Sequence, residues 1–162
     1  MKKHTIKIKS DLQEIHEVEK FVEDICDYYN INNSYFGNII VAITEAVENA
    51  IQHGNKNDAA KRVSILFDST KKGISFTIED EGIGFDSSII PDPTNIEIKL
   101  ENKGTGIFLM KTLADEVCFS ENGRNVKLIF NISSINPEVY ITRKQYVEEY
   151  LKNKKGIFEK NK

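Results

Sequence analysis

Glu45 and Asn49 stand four residues apart in the strongly apolar run Thr44-Glu45-Ala46-Val47-Glu48-Asn49. On a helix that spacing projects a carboxylate and an amide from one face, and His53 continues the line. An amide oxygen suits a hard cation that keeps several of its waters. A carboxylate nearby can take the proton of an attacking hydroxyl or water. The pair therefore reads as a magnesium–phosphate site, although by itself such a stripe would be only the solvated margin of an amphipathic helix.

A second run, Asp80-Glu81-Gly82-Ile83-Gly84-Phe85-Asp86, follows the alternating Ile74, Phe76 and Ile78. A carboxylate at the end of a strand has left the ladder and faces a pocket, where it can accept a hydrogen bond from an exocyclic amine such as that of adenine. Gly82 and Gly84 allow positive φ and let the backbone approach a flat ring. Asp and Gly are also ordinary hairpin residues, but the next strand-like segment is far off and a turn does not need two spaced glycines. The third run is Lys103-Gly104-Thr105-Gly106-Ile107, at the head of another apolar segment. Backbone N–H groups at a helix start form an anion site once glycines remove side-chain obstruction, and Lys103 adds positive charge. No Gly-Lys-Ser/Thr follows, so this is not a Walker loop.

These runs need a scaffold, and the hydrophobic pattern supplies one. Thr5 to Lys9 alternates as a strand. Ser10 or Asp11 can cap a helix whose Ile15, Val18, Val22, Ile25 and Tyr29 share a face. After a polar break at Asn30 to Asn33, a second helix runs to about His53 with Ile39, Ile43, Ala46, Val47 and Ala50 buried, and His53-Gly54-Asn55 ends it. Strands follow at Val63 to Phe67 and Ile74 to Ile78. A patternless stretch from Asp86 to Asn102 has the length of a functional loop. Ile107 to Ala114 reads as a helix, Val117 to Phe119 and Val126 to Ile132 as strands joined at Glu121-Asn122-Gly123. Tyr146, Val147, Tyr150 and Leu151 suggest a last amphipathic helix. This order favours a two-layer α/β sandwich, helices covering one face of a mainly antiparallel, mixed sheet.

Composition narrows the class. The chain has 162 residues, 40% hydrophobic and 29% charged, enough for one domain with a real core. A formal charge of −3 argues against a general nucleic-acid binder. Cys26 and Cys118 fall in apolar patterns and read as buried thiols of a reducing compartment. With neither a signal-like start nor an uninterrupted apolar span, a cytoplasmic location is expected.

Taken in order, Glu45-x-x-x-Asn49, Asp80-x-Gly82-x-Gly84 and Gly104-x-Gly106 resemble the N box and the two glycine boxes of the gyrase, heat-shock chaperone, histidine kinase and MutL (GHKL) ATPase superfamily. Glu-Ala-Val-Glu-Asn-Ala-Ile-Gln-His-Gly and Lys-Gly-Thr-Gly-Ile-Phe-Leu-Met narrow the likeness to the anti-sigma factor serine kinases, over roughly Thr5 to Ile132. That resemblance implies a Bergerat-type fold at residues 1–135, followed by a C-terminal helix and basic tail at 136–162. It also implies ATP with Mg2+ under a mobile lid, Ser87 to Lys103. Glu45 would be the general base and Asn49 the metal ligand. Asp80 would take the adenine amine with Gly82 and Gly84 lining the base, and His53, Lys103, Gly104, Thr105, Gly106, Ile107 and Phe108 would complete the nucleotide site. The implied substrate is a small anti-sigma-antagonist protein, with a sigma factor as competing partner; related proteins are often dimers. Some relatives carry an arginine in the lid or second glycine box, and a threonine where the late strand starts. Here Asn102, Lys103 and Thr105 stand in the first region and Arg124-Asn125 in the second. Two other functions fit the same boxes: a nucleotide-gated binding module without phosphoryl transfer, and a detached histidine kinase catalytic domain.

Overall fold

The structure, a computed structural model, describes residues 4–69, 73–84, 105–132, 142–143 and 145–153. Strand β1 (His4–Lys9) leads through a short 3-10 turn to α1 (Ile15–Tyr28) and α2 (Asn33–Asn49). Strands β2 (Arg62–Ser69) and β3 (Gly73–Asp80), helix α3 (Thr105–Leu113), and strands β4 (Glu116–Ser120) and β5 (Asn125–Asn131) complete the core. The five strands lie in the order β1-β2-β3-β5-β4. All four pairings among the described residues are antiparallel, so the mixed component expected of the sheet is not part of it.

Register follows from the pleat. Ile8 lies opposite Val63, Ile65 opposite Ile78, and Ile78 opposite Val126, so one face of the sheet is continuously apolar. That face carries the helices: Val63, Ile65, Phe67, Phe76, Ile78 and Leu128 are all buried beneath them. Local chemistry sets the helix ends. The Asp11 carboxylate accepts from the Gln13 N–H at 2.9 Å, capping the 3-10 turn rather than α1 itself. Asn32 caps α2, its side-chain oxygen accepting from the Ser34 N–H at 2.9 Å. The expected stripe Ile39, Ile43, Ala46, Val47 and Ala50 is buried, and so are Val41, Ala42 and Thr44. Helix α2 is therefore the central helix, wedged between the sheet and its two helical neighbours.

Three expectations change. The end of α2 is not a glycine in the left-handed region. The helix continues into a π-turn, Ala50–Gly54, closed by the Asn55 N–H donating to the Ala50 carbonyl at 2.8 Å, and Gly54 has no positive φ. Cys118 is exposed, unlike the buried Cys26, because Val117 and Phe119 take the inward positions of β4. Leu151 is half exposed, leaving Tyr146, Val147 and Tyr150 as the packed face of the helical residues 145–153. No helix among the described residues is long and apolar enough to cross a membrane.

Candidate functional site

Glu45 and Asn49 occupy the last two turns of α2, both partly buried. Against them lies the first turn of α3. A Cβ placed on Gly106 would sit 2.6 Å from Glu45 Oε2 and 3.3 Å from Asn49 Nδ2. Glycine lets the start of α3 come this close with the carboxylate in place; a side chain there would push the flexible Glu45 carboxylate aside. The contact joins two of the three motifs, and it brings the first turn of a nine-residue helix, with N–H groups that have no partner inside the helix, to the acid–amide pair. Thr105 at that helix start is exposed, while Ile107 and Phe108 are partly buried.

Asp80 forms the second cluster. It is the last residue of β3, opposite Val63, and its Oδ1 accepts from the Gly82 N–H at 2.8 Å. A Cβ on Gly54 would meet that carboxylate, and one on Gly82 would collide with the Gly54 carbonyl oxygen. Gly82 is therefore needed for space rather than for positive φ. Gly84 does have φ +80°, and its Cβ would strike the Asn122 carbonyl of the β4–β5 connection. Burial raises the Asp80 pKa above the usual carboxylate value, against the lowering influence of the Gly82 N–H, Arg124 and Lys61. A half-buried carboxylate that is costly to ionise is poised to accept a donor from a ligand.

The π-turn links the clusters. Asn49 closes α2 and Gly54 closes the π-turn that continues it, so one helical rod touches both Gly106 and Asp80. Wide turns of this kind recur at functional sites. His53 is exposed within the turn, and the change of helical period takes it out of the straight line expected from Glu45 and Asn49. Lys103, Gly104 and the lid expected at Ser87 to Lys103 lie outside the described residues.

Asn55 is the residue that sequence reasoning missed. It is fully buried; its Nδ2 donates to the Arg62 carbonyl at 2.9 Å and its Oδ1 accepts from the Glu81 N–H at 2.8 Å. One side chain thus ties the helix end to β2 and to the glycine run after Asp80. An asparagine after glycine reads locally as a helix stop; only the fold brings Glu81 beside it.

A family model described as the histidine kinase-like ATPase domain matches residues 8–130, most of the chain. The chain belongs to this family. Among curated relatives, the serine-protein kinase RsbW of Bacillus subtilis is 36% identical over 83 residues, 48% of this chain and 52% of that one. The anti-sigma F factor of Clostridium perfringens is 36% identical over 94 residues, 56% of this chain and 67% of that one. The aligned region therefore spans about half to two-thirds of these relatives. A crystal structure of the RsbU and RsbW domains of a Mycobacterium tuberculosis protein superposes with a TM-score of 0.60 at 16% identity, covering 83% of this chain and 34% of that one. That similarity establishes a shared α/β fold.

Proposed function

We propose that this ATPase-family domain is an ATP-dependent serine kinase of the anti-sigma type, acting on a small antagonist protein and binding a sigma factor in competition with it. The observation that carries the reading is the approach of Gly106 to Glu45 and Asn49 on the same helical rod whose other end meets Asp80. The names of the relatives, a serine-protein kinase and an anti-sigma F factor, support the substrate class.

In this reading Asp80 accepts a hydrogen bond from the adenine amine, in the space that side chains at Gly54 and Gly82 would fill. The start of α3 receives the phosphates. Magnesium keeps several waters and takes much of its coordination from phosphate oxygens, and the partly buried Asn49 beside Gly106 would offer its amide oxygen as the protein ligand. When bound, the ion neutralises charge developing on the phosphates. Glu45 takes the proton of the substrate serine as its Oγ bonds to the γ-phosphorus and the bond to the bridging oxygen of ADP breaks.

The test is to incubate the chain with magnesium, γ-labelled ATP and a candidate antagonist domain, then identify the phosphorylated residue. Phosphoserine is expected. Phosphohistidine would replace the reading with a detached histidine kinase domain, and binding without transfer would leave a nucleotide-gated binding module.

A further inference from the structure

The family match ends at residue 130, yet Arg143 and Tyr146 beyond it grip the helix that faces Glu45 and Asn49. Arg143 is 6% exposed. Its Nε donates to the Thr112 carbonyl at 3.0 Å, and one terminal nitrogen donates to the Ala114 carbonyl at 3.2 Å and to Asp115 Oδ1 at 2.9 Å. Thr112 and Ala114 lie at the C-terminal end of α3, where carbonyls have no partner inside the helix and where a cation opposes the negative end of the dipole. Asp115 is itself fastened to β5. Its N–H donates to the Ile129 carbonyl at 2.9 Å, and its other carboxylate oxygen accepts from the Asn131 N–H at 2.6 Å. At the opposite end of α3, the ring of Tyr146 stands edge-on to Phe108 with centroids 5.2 Å apart. Phe108 follows Gly106 by two residues, so the segment holds α3 at both ends.

We infer that Arg143 and Tyr146 form a latch that sets the position of α3, making Arg143 a positioning residue for phosphate binding. The inference rests on the nucleotide reading above. A nine-residue helix moves as a rod about 13 Å long, so releasing its C-terminal carbonyls shifts the Gly106 end against Glu45 and Asn49. Asp80, Gly54 and Gly82 are held by β3 and the π-turn and do not depend on that rod. Loss of the latch should therefore weaken recognition of the phosphates and spare recognition of the adenine.

The experiment measures magnesium-ATP affinity by calorimetry and adenosine affinity by ligand-observed NMR. It compares the full chain with Arg143→Ala, Arg143→Lys and Tyr146→Ala. Arg143→Ala should lose ATP affinity by about fivefold or more, a usual size for coupling between separate sites, with adenosine binding changed less than about twofold. Arg143→Lys, which keeps the charge but not the forked donors, should fall between. Should Arg143→Ala fail to fold, Tyr146→Ala carries the same comparison, since its ring is partly exposed. Equal losses for ATP and adenosine would reduce the segment to general support and overturn the latch, as would unchanged ATP affinity in both variants. A wild-type chain that binds no ATP would overturn the nucleotide reading itself.

Discussion

At Asp80, function and stability pull in opposite directions. Burial holds its pKa above its ordinary 3.8, so the folded chain binds this proton more tightly than the unfolded chain does. Its contribution to stability is therefore fully present below pH 3.8 and is lost as pH rises through the raised folded value. Asp80→Asn has no proton to lose. The melting temperature of this variant relative to wild type should rise from pH 4 toward neutrality when no nucleotide is bound; a difference that stays flat with pH would contradict the burial argument. In the proposed nucleotide site the same change would turn an acceptor for the adenine amine into a potential donor, so ATP affinity should fall by about 1.5–3 kcal/mol. Calorimetry showing unchanged affinity would remove Asp80 from the site. Gly106→Ala probes the other cluster. Its methyl would stand 2.6 Å from Glu45 Oε2 and 3.3 Å from Asn49 Nδ2, so the Glu45 carboxylate must swing aside and the amide is crowded; magnesium-ATP affinity should drop by about fivefold, the size of a perturbation of roughly 1 kcal/mol. Retained affinity would show that the close approach is not needed for binding.

Among the elements, the π-turn and its Asn55 clasp place the two clusters on one rod. Asn55→Ala would leave the Glu81 N–H and the Arg62 carbonyl without their partner, at a cost of about 2–4 kcal/mol. Urea unfolding measures this, and a change under about 0.5 kcal/mol, the scale of an ordinary surface substitution, would contradict the assigned role. Element order was readable from the sequence because the periods were clean: Ile74, Phe76 and Ile78 alternate, while Ile39, Ile43, Ala46, Val47 and Ala50 recur at helical spacing. The boxes were readable because each needs particular residue types, a glycine against a carboxylate or a carboxylate at a strand end. The π-turn was not. Nothing local in Ala50 to Gly54 separates it from an α-helix closed by glycine, and the contacts its end makes are with Asp80 and Glu81, distant in sequence. Exposure of Cys118 was hidden for a related reason: in the short edge strand β4 the inward positions belong to Val117 and Phe119, and only the pairing with β5 decides which set faces in.

Taken whole, the molecule places a layer of helices over an antiparallel sheet and adds a C-terminal segment that the family match does not reach. Tyr146, Val147 and Tyr150 pack on the core, and Arg143 caps α3. Truncation after Pro137 should therefore lower the melting temperature, by roughly 5 °C or more if about 2 kcal/mol is lost in a domain of this size. A truncated chain that melts unchanged would show that this packing contributes nothing to stability. Between the two ends of the rod, Glu45 is proposed to remove the proton and not to bind nucleotide. The most direct measurement sets magnesium-ATP affinity beside the rate of phosphoryl transfer to an antagonist serine in Glu45→Gln. Affinity within about twofold of wild type, with transfer slowed roughly a hundredfold or more, is the expected result for a positioned general base; transfer at the wild-type rate would contradict it.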